Sequence, residues 1–188
     1  YKVDLKGFDD RHYRQLGGRL QPILDTIRRL HGMGVWIEVV TLLIPGFNDS
    51  ADEVKRLTAF IADVSPDIPW HVTAFHGDYK MTDAGDTTVD MLLQAAATGR
   101  EAGLRFVYAG NRPGEVGNAE DTCCPTCGDT LIARRGFLIR DYRLTGDGAC
   151  PSCATPIPGR WSAAFPGQRA AHPFLPGSRA RLRLSEIA

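Results

Sequence analysis

The sequence predicts an α/β fold in which helices connect parallel strands, followed by a small metal-binding module. In residues 1–111, short apolar runs alternate with amphipathic segments of helical spacing. From residue 112 the composition shifts to Gly, Pro and Cys, and two Cys-x-x-Cys pairs follow. We therefore divide the chain into an α/β unit (1–111), a metal-binding ribbon (112–161) and a tail or linker (162–188).

Composition limits the classes of function. A chain of 188 residues can form one ordinary domain and a small module. Lys plus Arg and Asp plus Glu both number 22, so the zero net charge gives no sign of nucleic acid or an anionic membrane as a partner. No apolar run approaches the roughly 18 residues of a spanning helix, and no signal peptide opens the sequence. We expect a cytoplasmic protein.

Four strands are predicted, at residues 3–5, 35–44, 68–75 and 104–109. The second run is almost wholly apolar, which is typical of a strand covered on both faces. Helical crossovers between successive strands imply a parallel sheet, whose ligands bind at the carboxyl ends of the strands.

Three helices separate these strands. The first carries an apolar stripe at helical spacing: Leu20, Ile23, Leu24, Ile27 and Leu30. The second begins at Ser50, and Glu53 completes a capping box in which the two side chains satisfy each other's backbone N–H groups. The third covers residues 88–103. Four strands leave an exposed sheet edge and the chain opens in mid-strand, so we expect a downstream piece of a larger protein.

Two Cys-x-x-Cys knuckles, separated by 22 residues, predict a metal site. Cys124, Cys127, Cys150 and Cys153 together supply four thiolates for one tetrahedral ion. A hairpin between the knuckles brings them together, and the metal supplies most of the folding energy of so small a module. Closed thiolate coordination favours a structural zinc, with rubredoxin-like iron and disulfides as the alternatives. Cys123 is interpreted as a spare thiol beside the site.

Polar residues cluster where the strands end. Each one alone has an ordinary structural explanation, but their gathering on one rim of a parallel sheet predicts a site there. Charged residues within apolar strands also need partners or a function. The candidates are Asp4, Lys6, Glu38, Thr41, Asn48, Asp49, His71 and Asn111.

Together these motifs resemble the radical SAM enzyme of the AmmeMemoRadiSam system, a family similar to the activating enzymes of glycyl-radical proteins. The resemblance covers residues 1–161. It rests on Val3-Asp-Leu-Lys-Gly-Phe8, Glu38-x-x-Thr41 through Ile44-Pro-Gly-x-Asn48-Asp49, Pro69-Trp-His71, Tyr108-x-Gly-Asn111 and the paired cysteines.

The resemblance implies the C-terminal half of a partial (β/α)6 TIM-like barrel. The complete enzyme would cleave S-adenosylmethionine at a 4Fe-4S cluster, forming a 5′-deoxyadenosyl radical, and would act on a protein or peptide. Asp4, Lys6 and His71 would lie beside the cofactor, while Glu38, Thr41, Asn48, Asp49 and Asn111 would line the same rim. Companions of the AMMECR1 and Memo types are also implied.

One departure from the family is that the Cys-x3-Cys-x-x-Cys motif that holds the cluster is absent from these 188 residues. The chain by itself is therefore expected to be inactive. Two other functions remain open. A zinc-ribbon module without catalytic activity could bind a protein through Arg134, Arg135 and Arg140. A nucleic-acid-binding ribbon is disfavoured by the zero net charge.

Overall fold

The computed structural model describes residues 1–78 and 84–161; the predicted tail at 162–188 lies outside the described residues. A parallel sheet contains β1 (Lys2–Asp4), β2 (Glu38–Leu43), β3 (Trp70–Ala74) and β4 (Val107–Gly110), in that order. The helices are α1 (Asp10–Gln15), α2 (Leu20–Gly32), α3 (Ala51–Val64) and α4 (Val89–Glu101). An antiparallel sheet follows, with β5 (Thr122–Cys123), β6 (Thr130–Arg135) and β7 (Leu138–Tyr142) in sequential order.

The predicted α/β fold with a parallel sheet is confirmed. The structure adds α1, which sequence periodicity does not reveal because this six-residue helix buries a single apolar side chain, Tyr13. Asp9 caps it by accepting a hydrogen bond from the Arg11 N–H at 2.8 Å. The Tyr13 hydroxyl accepts a hydrogen bond from the Lys6 N–H at 2.8 Å, so α1 supports the chain just after β1.

No helix within the described residues is long and apolar enough to cross a membrane.

The prediction that the second strand is covered on both faces is wrong. Burial alternates along β2, where Val39, Thr41 and Leu43 are buried and the residues between them are only half-buried. The buried face of the sheet packs in one core with α2, α3 and α4. The opposite face, which we call the open face, carries Asp4, Glu38, Val40, His71, Thr73 and Tyr108.

The predicted capping box forms only in part. Ser50 accepts a hydrogen bond from the Glu53 N–H at 3.3 Å, as predicted. The Glu53 carboxylate turns elsewhere, to the Phe8 N–H at 2.6 Å and to Nδ1 of His12 at 3.3 Å. Gly7 makes room for it, because a Cβ there would lie 2.7 Å from Oε1 of Glu53. A buried carboxylate needs strong partners, and these tie α3 to the loop after β1.

The module after β4 has its own small core. Leu131, Ile132, Leu144 and Ile157 are buried there with Phe106. Because Phe106 immediately precedes β4, this core adjoins the end strand of the parallel sheet. The two sheets therefore meet at β4.

Candidate functional site

The structure brings the four predicted cysteine sulfurs together. All four lie within 4.8 Å of one another, with 3.5 Å between Cys124 and Cys153 and 3.6 Å between Cys127 and Cys150. Four thiolates about 2.3 Å from one tetrahedral ion would be separated by about 3.8 Å. The cluster can therefore hold a metal ion.

The two knuckles share one backbone conformation. In the first, the Gly128 N–H donates to the Cys124 carbonyl at 2.9 Å; in the second, the Ala154 N–H donates to the Cys150 carbonyl at 2.9 Å. Both Gly128 and Ala154 have positive φ, +80° and +57° respectively. The repeated Cys-x-x-Cys sequence thus produces two equivalent turns that present sulfurs toward one point.

Hydrogen bonds prepare one sulfur for metal binding. The Thr155 hydroxyl lies 3.1 Å from Sγ of Cys153. This hydroxyl and the Thr155 backbone N–H lower the pKa of Cys153 to about 6. Since the thiolate is the form that binds a metal, Thr155 favours coordination. Cys123 lies outside the cluster, with its sulfur 3.9 Å from the Thr130 hydroxyl.

Exchanging the residues that follow the knuckles should change stability in opposite directions. We expect Ala154→Gly to raise the free energy of unfolding by about 0.5–1 kcal/mol, because alanine is strained at positive φ. Gly128→Ala should lower it by about 1 kcal/mol. A Cβ at Gly128 meets no atom within 4 Å, so the effect would come from the backbone alone. Thermal unfolding of the metal-loaded variants measures both changes in stability. If both variants were stabilised, or both destabilised, this account would be contradicted.

On the open face, polar side chains form two pairs. Nζ of Lys6 lies 3.0 Å from a carboxylate oxygen of Asp4, and both side chains are about two-fifths exposed. Nε2 of His71 lies 2.9 Å from Oε2 of Glu38. Asp4 and His71 both pair in register with Val40, on either side of it. The sheet thus places two carboxylates, an amine and an imidazole on one accessible surface.

The expectation that these groups share the carboxyl rim is wrong for two of them. Glu38 is the first residue of β2, and His71 is the second residue of β3. Both lie near the amino starts of their strands. They adjoin Asp4 because side chains on alternate residues of parallel strands share a face, whatever their distance from the strand ends.

Neighbouring groups on the open face set the protonation states of Glu38 and Tyr108. The hydrogen bond with His71 is the main cause of a lowered pKa at Glu38, and the Trp36 indole N–H contributes from 3.2 Å. Burial raises the pKa of Tyr108, whose ring stacks on His71 with 5.0 Å between centroids. Glu38 is therefore an anion at neutral pH, and Tyr108 keeps its hydroxyl proton.

The amide and hydroxyl candidates are already engaged within the chain. Thr41 is buried on the helix-covered face; its hydroxyl donates to the Leu5 carbonyl and accepts from the Trp70 indole, both at 2.9 Å. Asn48 is also buried, and its amide donates to the Lys6 and Leu42 carbonyls at 2.7 and 2.9 Å. Both residues join β1 to β2.

The last two candidates stabilise turns. The Asp49 carboxylate accepts from the Gly46 N–H at 2.9 Å, and Gly46 has a φ of +73°. Asn111, with a φ of +64°, donates to the Ala74 carbonyl at 3.0 Å and so joins the ends of β3 and β4. In the structure these side chains shape the carboxyl ends of the strands.

A contact between the four-cysteine module after β4 and the open face was not predicted. The Tyr108 hydroxyl lies 2.9 Å from the Thr122 hydroxyl, which also accepts from Nη1 of Arg134 at 2.6 Å. The Arg134 guanidinium lies 5.8 Å from the centre of the Tyr108 ring. Arg134, predicted to be a protein-contact residue, is thus used inside the chain. The residues beside Arg134 in the sequence do not predict this contact, because Tyr108 is distant along the chain.

Comparison with known proteins supports the fold. No family model matches the sequence. An uncharacterised protein of Methanocaldococcus jannaschii is 38% identical over 143 residues, which are 76% of this chain but 42% of that protein. The chain therefore spans about two-fifths of the length of this curated relative.

A solved structure gives the fold a counterpart. A domain of pyruvate-formate lyase-activating enzyme from Bacteroides vulgatus superposes with a TM-score of 0.52, at 20% identity, over 58% of this chain and 66% of that one. At this level of identity the likeness concerns the fold. This chain therefore has an α/β fold similar to that of an activating-enzyme domain, and carries a four-cysteine cluster.

Proposed function

We propose that this chain is the C-terminal part of a radical SAM enzyme of the AmmeMemoRadiSam type. The observation that carries the proposal is the open face, where an Asp4–Lys6 pair and a Glu38–His71 pair stand side by side on an accessible surface. Support also comes from the fold shared with an activating-enzyme domain. In a partial (β/α)6 barrel, this face would be the interior.

The open face suits the methionine end of S-adenosylmethionine. That moiety carries an ammonium and a carboxylate, which need opposite charges beside them. The Asp4 and Glu38 carboxylates can receive the ammonium, and the Lys6 amine can bind the carboxylate. His71 orients Glu38 and is itself held by stacking on Tyr108. Val40, between Asp4 and His71 in register, offers an apolar surface beside the charges.

This chain does not fit the 4Fe-4S cluster. Its five cysteines are the four of the compact cluster and the neighbouring Cys123, and the Cys-x3-Cys-x-x-Cys motif is absent from its sequence. These residues therefore offer no ligand set for the iron–sulfur cluster, and we expect the chain alone to be inactive. For the four-cysteine cluster we propose a structural zinc, with iron as the alternative, in a ribbon covering residues 112–161.

Substrate and companions follow from the resemblance alone. A protein or peptide substrate would suit a relative of activating enzymes, and AMMECR1- and Memo-type proteins would be companions. The division into 1–111, 112–161 and 162–188 is likewise a proposal.

The test uses the complete parent protein with its reconstituted cluster. We expect Asp4→Asn to reduce formation of 5′-deoxyadenosine from S-adenosylmethionine by about tenfold or more, since a charge-assisted hydrogen bond contributes about 1.5–3 kcal/mol. Asp63→Asn, on the exposed surface of α3, is the matched control and should retain activity. A parent that does not bind S-adenosylmethionine would refute the proposal, and so would equal activity in the two variants.

A second candidate is a protein-binding module, favoured by one observation. Phe137, Leu138 and Ile139 are exposed apolar residues in the hairpin between the knuckles. Such side chains at the surface are characteristic of contact sites.

A further inference from the structure

The β6–β7 hairpin exposes apolar side chains at its tip. Phe137 has a relative exposure of 109%, while Leu138 and Ile139 are 51% and 45% exposed. Exposed aromatic residues beside aliphatic ones are enriched at protein contacts. Neither the cysteine cluster nor the open face uses these three residues.

The tip is held in a fixed turn. Gly136 and Phe137 form a two-residue loop between the paired Arg135 and Leu138, and Gly136 has a φ of +58°. The buried Glu120 carboxylate accepts the Gly136 N–H at 2.8 Å and the Gly114 N–H at 2.9 Å. This anchoring presents Phe137 from a defined backbone, which reduces the entropy lost on binding.

β7 is an edge strand with arginines within it and on either side of it in the sequence. Within the described residues it pairs with β6 alone, and residues 138–141 are exposed. Arg135 precedes the turn, Arg140 lies within β7, and Arg143 follows β7, where its guanidinium donates to the Thr130 carbonyl at 3.3 Å. None of the three is in an ion pair with a carboxylate of the described chain. The nearby Asp141 carboxylate accepts the Tyr142 N–H at 3.0 Å.

We propose that β7 receives an extended acidic segment of a partner protein as an additional strand. Leu138 pairs with Arg135 and Ile139 with Arg134, so their side chains lie on opposite faces of the strand. The register then shifts and leaves Arg140 as the extra residue of a bulge. A segment running alongside β7 reaches both faces and satisfies the free edge of the backbone. Its carboxylates would pair with Arg140 and Arg143, and its apolar side chains would cover Leu138 and Ile139.

Other occupants fit less well. Antiparallel pairing of two copies centred on β7 would set Arg140 against Arg140, and like charges directly opposite each other destabilise a sheet. A flat anionic membrane could bury one face of the strand, which would leave either Leu138 or Ile139 in water. Insertion beyond the tip would also bury Asp141. An acidic strand avoids these costs.

The experiment measures binding of a synthetic peptide to the full 188-residue chain loaded with metal. In this peptide pairs of glutamates alternate with pairs of valines, so that both faces of the added strand carry acidic and apolar side chains. Its counterpart with lysine in place of glutamate should not bind. We expect anisotropy to report binding, and NMR to place the shifted amides in Leu138–Tyr142. The double variant Arg140→Glu/Arg143→Glu should weaken binding by about tenfold or more. Arg29→Glu/Lys55→Glu makes the same change in net charge on α2 and α3 and should retain binding.

Phe137→Ser provides a second variant whose fold is secure, because the side chain is fully exposed. It too should weaken peptide binding while keeping the metal content unchanged. Failure of the acidic peptide to bind would overturn the proposal, as would equal binding by the hairpin and control variants. Binding to vesicles of phosphatidylcholine and phosphatidylserine in place of the peptide would overturn it as well. S-adenosylmethionine is absent from these assays, so they stand apart from the test of the enzyme proposal.

Discussion

Cys150→Ser is expected to abolish metal binding and unfold the ribbon. Cys150 is 1% exposed, and its sulfur is one of four that converge within 4.8 Å. The module's own core contains few apolar side chains, whereas binding of a structural zinc supplies about 10–16 kcal/mol in comparable small folds. Metal content per chain, with amide dispersion of residues 122–157 in NMR spectra, measures the effect. The separate core of the parallel sheet should keep the dispersion of its amides.

Cys123→Ser is the matched control, because the Cys123 sulfur lies beside Thr130 and outside the cluster. It should retain one metal ion per chain and a folded ribbon. A folded ribbon in metal-free Cys150→Ser would contradict this account. The NMR resonances of His71 also report on unfolding of the ribbon. His71 stacks on Tyr108, whose hydroxyl pairs with that of Thr122 in the ribbon.

Trp70→Ala is expected to lower the free energy of unfolding by about 3–5 kcal/mol. Trp70 is fully buried beneath α4, where a Cβ at Gly99 would lie 2.8 Å from its ring. Truncation would leave a large cavity and remove the donor to the Thr41 hydroxyl. A loss of this size is a large part of the roughly 5–15 kcal/mol that stabilises an ordinary domain. Urea unfolding followed by helical circular dichroism measures it.

Trp36→Ala removes the same side chain from a half-buried position and serves as the control. The Trp36 indole donates to Glu38 at the edge of the open face, so its loss should cost clearly less. Equal destabilisation by both variants would mean that the core is not centred on Trp70.

The sequence by itself determined the order of the strands and main helices along the chain and the four sulfurs of the cysteine cluster. Apolar periodicity is a local property, so Leu24 and Ile27 indicated α2 and its buried side without any knowledge of the fold. The Cys-x-x-Cys spacing is equally local, because each knuckle is a short turn closed by its own backbone hydrogen bonds. The resemblance to radical SAM enzymes also rested on such continuous motifs.

Only the tertiary structure decided which face of the sheet is open and which polar side chains remain available on it. Glu53 leaves its predicted cap for Phe8, 45 residues away, because burial makes its carboxylate seek the nearest strong donors. Thr41 and Asn48 are engaged between strands, whereas Glu38 and His71 meet across 33 residues of sequence. These pairings depend on strand register and on which face the helices cover, and neither is encoded in a local pattern.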